Sequence, residues 1–570
     1  MKTIKIHLLQ ILLCVACTLL MSDCDLERLP YDAMVNEGIN AGSAESITLG
    51  TYAKLKEEYY YKTLHQVGEY GGDNISLSGT TSDQLFNFYR YTRVTNSYYT
   101  ARVWLFTYQM VGNINSLLPA LEEYDPPVDE RESIDHLKGE NLLLRAFLYF
   151  NCCNVFGRPY LDAAGAENNP GIPLKTVSDI NYFPPRASVK DVYEQIIEDA
   201  TRAAALMKRS PGTTPKNNSY VSQEVAWAFL SRVYLYMGAY EKAEAYADSV
   251  INAGRYSLLE DDSYAKYPQH APESNTESIW VIRMLKDVDF EAYYMDWYSV
   301  GSLYATLDEI GWGEMYPSES YLALLRENPE DLRFKFIADQ YEATNSLWMI
   351  YTVGNEANKT WTYATQTVVQ EGDDYRITTN ANLYTSPLVQ KETIDGKTQY
   401  YVVTVAGSVR YNVHIERALQ ARNGYPKRFI LKCSYQEQQS QLYSPVLFRL
   451  AEIYLTRAES RFYQNDIAGA IEDMNVIRRR AKIPERQYAD AGSDADVLEW
   501  ILNERRLELA WEAQRKYDIF RKQQTLDRRY PGSHLASALP IEIRPDDDRI
   551  VEYIPVSEID AYPGDLQQNP

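Results

Sequence analysis

Histidine and cysteine are scarce in this chain, six of each in 570 residues, and the scarcity removes several kinds of chemistry. Beyond His7, the histidines are His65, His136, His270, His414 and His534, far apart and never at metal-ligand spacing on a helix. Cys14, Cys17 and Cys24 fall at the start of the chain, which leaves Cys152, Cys153 and Cys433 for the rest. Adjacent cysteines in a helical stretch cannot easily bridge each other, so these three read as small buried hydrophobes and not as a disulfide framework. There is no GxSxG, no Walker loop and no paired-cysteine zinc pattern. No metal and no cofactor is expected. Asp546-Asp547-Asp548 lacks the spaced oxygens and glycine of a calcium loop and reads as a solvated turn. Basic residues are also short, 57 against 79 acidic ones, for a formal net charge of −22. Such a surface disfavours nucleic acid and anionic headgroups as partners. After the first 24 residues no apolar run approaches membrane-spanning length.

The apolar run that does exist is informative. Lys2 and Lys5 precede residues 8–20, which are largely apolar and broken only by Gln10. That run is too short to span a bilayer and has the flanks of an export signal. Cys24 follows closely and resembles the cleavage and acylation site of bacterial lipoproteins, although Asp23 stands where a small residue is usual. Two or three acyl chains, at about 0.8 kcal/mol per buried methylene, would anchor the chain durably. A rival site at Cys17 would cut inside the run, and an ordinary secretory signal with an incidental cysteine is the other reading. Cleavage before Cys24 leaves 547 residues and a net charge of −23.

Tyrosine is abundant: 48 residues against 15 Phe. Each offers a flat apolar face and a hydroxyl, which suits recognition of sugars, although many must be core residues. The expected organisation is a signal over 1–23, a lipidated tether over 24–42, a helical region over 43–255, an irregular insertion over 256–444 and a second helical region over 445–570. Helices are expected over 101–124, with Trp104, Tyr108, Val111, Ile114 and Leu118 on one face, and over 130–156. Another is expected over 189–207, with Ser188 and Asp191 as a capping box. Residues 225–254 and 448–481 look alike: a helix, a short break, then a second helix opening on small residues such as Ala243, Ala247, Ala468 and Ala470. Each resembles a tetratricopeptide unit, and their separation implies an interrupted array. A helix is expected to run unbroken over 501–520, with its Glu and Arg residues as interhelical clamps. Within the insertion, 389–394 and 398–405 flank Asp395-Gly396, a hairpin signal.

Four blocks in the last third, read in order, carry a family resemblance: Leu450-Ala451-Glu452-Ile453-Tyr454-Leu455, then Ala470-Ile471-Glu472-Asp473-Met474-Asn475, the 501–520 stretch, and Tyr553-Ile554-Pro555-Val556 onward. With Asn154-Val155-Phe156-Gly157, Gly171-Ile172-Pro173-Leu174, Glu277-Ser278-Ile279-Trp280 and Gly311-Trp312 upstream, the chain resembles the SusD/RagB family of outer-membrane lipoproteins of Bacteroidetes-type bacteria. The resemblance implies a mainly α fold. It is a tetratricopeptide-like helical-pair scaffold carrying a long irregular, partly β-hairpin insertion that forms the ligand-binding half. It also implies a non-enzymatic protein held on the outer face of the outer membrane by its lipid. There it would capture an oligosaccharide, or in some members a peptide, for a SusC-type TonB-dependent transporter. Asp25 and Glu27 are similar to the acidic signal that sends such lipoproteins outward.

Two segments combine aromatics with polar groups outside the helical patterns. One is 70–90, containing Asp73, Asn74, Phe86, Asn87, Phe88, Tyr89 and Arg90; the other is 293–312, containing Tyr294, Trp297, Tyr298, Tyr304 and Trp312. A pyranose stacks its apolar face on such rings while its hydroxyls take polar partners. The resemblance points to the same two segments. The candidate ligand residues are therefore Trp297, Trp312, Tyr294, Tyr298, Asp73, Asn74 and Arg90, with Trp297 foremost. Trp104, Trp227, Trp280, Trp500 and Trp511 read as core. A lipid-anchored hydrolase would instead need two carboxylates in one cleft. A bare tetratricopeptide-like adaptor would have no use for the aromatic insertion.

Overall fold

The computed structural model describes residues 40–78, 86–209, 217–289, 299–305, 313–394, 396–532 and 541–570. Cys24 and the apolar start lie outside the described residues, as do Tyr294, Trp297, Tyr298 and Trp312.

Helices dominate, and several begin where the sequence supplies an oxygen to cap them. Ser97 accepts from the Thr100 N–H at the start of Tyr98–Glu123, and Ser188 accepts from the Asp191 N–H at the start of Val189–Leu206. Such caps are each worth about 1 kcal/mol. Arg131–Phe156 lies between these two helices and packs on both. Trp104, Trp280 and Trp511 are buried, while Trp227 and Trp500 are half-buried.

The two similar repeats are neighbours in space. Gln223–Tyr236 and Tyr240–Asn252 form one helical pair, Leu450–Tyr463 and Ile467–Arg480 the other, and Tyr240–Asn252 packs directly on Leu450–Tyr463. Tyr240 and Tyr463 stack at 4.2 Å between ring centres, and Arg457 and Arg461 reach Asp248 and Glu244 at 2.6 and 2.8 Å. The array interrupted in sequence is thus continuous in the fold. The chain between the repeats leaves and returns through one stem, where Ser278–Val281 pairs antiparallel with Val446–Arg449. Trp280 and Phe448 stack there against Phe147 and Phe229 of the helical core.

The insertion is more regular than expected. It holds a six-stranded antiparallel sheet in the spatial order Gln390–Ile394, Lys397–Val403, Arg410–Arg417, Leu347–Asn355, Thr360–Glu371, Asp374–Ile377. The strands expected on either side of residues 395–396 do pair, with Ile394 opposite Lys397. The sheet has its own small core of Met349, Val368, Ile377, Val402 and Val413.

The expected 501–520 helix is broken. Asp494–Glu508 ends, Trp511 and Ala513 adopt φ of +66° and +62°, and Arg515–Arg521 resumes the helix. Buried charge explains the break. Arg449 reaches Glu277 at 2.7 Å, Glu508 at 2.5 Å and Glu512 at 2.8 Å. Arg480 joins Glu277 to Glu508, Arg333 joins Asp331 to Glu504, and Arg478 closes on Glu504. Lys432 bonds Glu512 and takes the Glu508 and Ala510 carbonyls that the broken helix frees. Burial alone would raise the Glu508 carboxyl, but Arg480, Arg449 and Arg333 hold it well below the usual range.

Removing one member leaves its partners buried and unpaired. Arg449→Ala is expected to cost about 3–5 kcal/mol, read as a lower urea midpoint. An unchanged midpoint would show the network to be dispensable.

Candidate functional site

The two segments singled out by their aromatics are joined at their edges. Ile75–Leu77 pairs antiparallel with Met315–Pro317, with Leu77 opposite Met315. Ser78, the last described residue before 79–85, donates from both its N–H and its Oγ to the Glu314 carbonyl at 2.9 and 3.0 Å. Gly313, the first described residue after 306–312, is held through its carbonyl by Arg422 at 3.1 Å. The ends of both segments therefore sit side by side on one short ladder.

A third element completes the frame. Asn423 and Gly424 have φ of +52° and +83°, the two left-handed positions of a tight hairpin turn between Ala421–Arg422 and Tyr425–Pro426. Asn423 Nδ2 donates to the Ser78 carbonyl at 2.7 Å, and Arg422 lies 3.7 Å from the Glu314 carboxylate. Sequence reasoning did not mark these residues, although Asn-Gly between aromatic and basic residues is itself a hairpin signal.

The nominated polar residues of the first segment divide by role. Asp73 is buried and clamped by Arg515, with Nε–Oδ1 at 2.6 Å and Nη2–Oδ2 at 3.1 Å; Arg506 also lies 3.4 Å away. Burial would raise the Asp73 carboxyl, but these arginines depress it strongly. Asn74 is buried, accepts from Arg506 Nε at 2.9 Å, and its carbonyl takes the Ser318 N–H at 3.0 Å. Both residues hold the segment to the C-terminal helices. Phe86, Phe88 and Tyr89 are core residues, not a platform, and Tyr304 is fully buried with its hydroxyl 2.5 Å from His65 Nε2. Arg90 differs. It is half-buried over the Phe86 ring, and its Nε has no hydrogen-bond partner among the described residues.

Arg528 fixes the segment from beneath. It donates to the carbonyls of Tyr70, Gly72 and Tyr89, and its guanidinium lies 4.0 Å over the Tyr89 ring. Gly68 lies so close to the broken helix that a Cβ there would stand 2.0 Å from the Ala513 carbonyl. Beside it, Glu69 accepts from the Ala513 N–H at 3.1 Å. The 290–298 stretch departs from Asp289, which with Leu49, Tyr52, Tyr220, Leu285 and Val288 lines a cleft of about 870 Å³. Among the described residues no cluster of His, Cys, Asp and Glu is placed to hold a metal, and no helix is long and apolar enough to cross a membrane.

Two outcomes follow from this framework. Asp73→Ala should cost about 3–5 kcal/mol of stability by stranding Arg515 and Arg506, read by denaturant unfolding. The second concerns Glu69, which burial raises from 4.5 to about 8, so the folded chain keeps a proton there that the unfolded chain releases. Its stabilising effect is present below about 4.5 and lost as pH rises toward 8. Glu69→Gln keeps the acceptor and removes that loss. The Tm difference between variant and parent should be smallest at pH 4 and should grow in the variant's favour up to pH 8, with a pH-independent difference arguing against titration at this site.

Comparison with known proteins places this geometry in context. The profile described as the SusD family matches residues 276–570, and one described as starch-binding associating with outer membrane matches residues 26–235. The chain is similar to SusD-like protein P2 of Formosa agariphila, 24% identical over 305 residues that cover 52% of this chain and 56% of that protein. SusD-like protein P38 of the same organism is 22% identical over 421 residues, covering 68% of this chain and 67% of that one. The chain thus spans little more than half the length of the first of these relatives. A SusD superfamily protein from Bacteroides thetaiotaomicron superposes with a TM-score of 0.67 at 24% identity, covering 93% of this chain and 100% of that one. A putative sugar binding protein from Bacteroides vulgatus gives the same TM-score and identity, covering 93% and 99%. At such identities the likeness establishes the fold.

Proposed function

The chain belongs to the SusD family, and on that premise we propose that it captures oligosaccharides at the cell surface and passes them to a SusC-type TonB-dependent outer-membrane transporter. In this reading Cys24 carries the lipid that holds it on the outer face of the outer membrane, and the protein binds its ligand without transforming it. The observation that carries the proposal is the ladder between Ile75–Leu77 and Met315–Pro317. It anchors the edges of both aromatic-bearing segments on one frame, pinned by Arg422 and Asn423 above and by Arg506, Arg515 and Arg528 below. A rigid base that anchors the edges of aromatic-bearing segments suits recognition of glycans. Trp297 and Trp312 are assigned to stacking on sugar rings, with Tyr294 and Tyr298 beside them and Arg90 as a donor. Asp73 and Asn74 serve the frame and not the ligand.

Calorimetric titration of residues 25–570 against a panel of polysaccharides and a peptide mixture tests the ligand class. Binding to one glycan class supports the proposal, and binding to peptides alone overturns it. Trp297→Ala or Trp312→Ala should weaken glycan binding at least about tenfold, ~1.4 kcal/mol. Unchanged affinity in both variants would remove the site assignment and leave the family intact.

A further inference from the structure

A second concavity lies where the insertion's sheet meets the helix Glu319–Arg326, and none of its lining belongs to the frame described above. It encloses about 460 Å³, within the range of small-ligand sites. Leu322, Phe334 and Ile337 line its apolar part, and Arg326, Lys335, Asp339, Glu416 and Arg428 its polar part.

The polar groups are built rather than scattered. Arg428 forks between the two carboxylates, with Nη1 2.7 Å from Asp339 Oδ1 and Nη2 2.6 and 2.7 Å from the Glu416 oxygens. Trp348 Nε1 adds a hydrogen bond to Glu416 at 3.3 Å. Both carboxylates are therefore fixed in orientation, yet their side chains keep 26% and 22% exposure, enough for outward lone pairs to accept from a ligand. Tyr341 also lines the cleft; the residue is 43% exposed and has the Arg417 guanidinium 4.3 Å from its ring centre. A ring held from one side by a cation presents its other face for stacking. Arg326 is paired with Glu319 at 2.5 Å, whereas exposed Lys335 has no carboxylate within ion-pair reach among the described residues. With Glu319 and Arg417 included, four cations stand near three carboxylates, but Arg326 and Arg428 are held by carboxylates and Arg417 lies over the ring, so only Lys335 is left to favour an acidic ligand.

An exposed aromatic face, two oriented carboxylate acceptors and a free ammonium donor form a hydroxyl-reading set beside an apolar floor. We propose that this cleft is a second carbohydrate-binding site, taking a neutral pyranose unit stacked on Tyr341 with its hydroxyls on Asp339, Glu416 and Lys335. The proposal rests on the carbohydrate reading above and extends it to a separate place on the molecule. Two sites on one chain would let an oligosaccharide be held at two points, with a gain set by effective concentration.

The test uses the full soluble chain labelled with 5-fluorotryptophan, its fluorine resonances assigned by single Trp→Phe substitutions. Trp348 reports on the cleft through Glu416, while Trp297 and Trp312 report on the site assigned in the preceding section. Neutral α- and β-linked hexose and pentose oligosaccharides are titrated to 50 mM, on the order of the weakest affinities worth assigning. The expected result is a saturable shift of the Trp348 resonance that Tyr341→Ala abolishes. A Trp348 resonance that stays still while Trp297 or Trp312 moves overturns the second site and spares the first. A Trp348 shift that persists in Tyr341→Ala also overturns it, because the ring would not be the platform. If only Trp348 moves, the cleft stands and the Trp297 and Trp312 assignment falls. Silence at all three positions overturns both.

Discussion

Arg449 stands where the stem of the insertion, the second helical pair and the C-terminal helices meet. It ends the stem of the insertion, precedes the helix Leu450–Tyr463, and reaches three glutamates from other elements: Glu277, Glu508 and Glu512. Around it Arg333, Arg478, Arg480 and Lys432 balance Asp331 and Glu504 with those same glutamates, five cations against five carboxylates, all nearly free of solvent. An isolated charge in such a place would cost several kcal/mol, so the cluster is tolerable only when complete. Completeness forces the two ends of the insertion, the second helical pair and the last helices into one relative arrangement. The local price is the helix break at Leu509–Gln514, where backbone carbonyls turn out of the helical ladder toward Lys432 and Cys433.

That arrangement bears directly on the proposed site. The broken helix brings Arg506 and Arg515 onto Asp73 and Asn74, and the chain beyond it brings Arg528 under Tyr70 and Gly72. The edge of the first aromatic segment is thereby a fixed object, and the ladder to Met315–Pro317 extends the same rigidity to the second. The turn at Asn423-Gly424 is contributed by the return limb of the insertion, after its six-stranded sheet. The hairpin Ala421–Pro426 and the C-terminal part of the chain thus both support the same frame. The cleft beside Tyr341 uses the other consequence of the insertion, a sheet edge packed near a helix with paired charges between them.

Much of the scaffold was legible. The helical pairs announced themselves through apolar periodicity and small residues such as the buried Ala243, Ala247 and Ala470, and the helix Val189–Leu206 through Ser188 as its cap, all local properties of the chain. The Asp395-Gly396 hairpin signal was equally local. The six-stranded sheet was not legible, because a strand such as Thr360–Glu371 is buried at only two of its positions and lacks a clear alternation. The two site segments were marked by composition. Two of their polar members, Asp73 and Asn74, are held by Arg506 and Arg515, which lie more than four hundred residues away in sequence and leave no local signal.

By itself the amino-acid sequence determined where the two similar helical pairs lie, that an aromatic-rich insertion divides them, and to which family the chain is related. These are set by side-chain periodicity and motif order, which need no knowledge of distant partners. Only the tertiary structure decided that the interrupted array closes in space, that the 501–520 helix must break, and that Asp73 and Asn74 are struts. Each depends on burying a charge or a helix face against residues far along the chain, and such pairings exist only once the fold has brought them together.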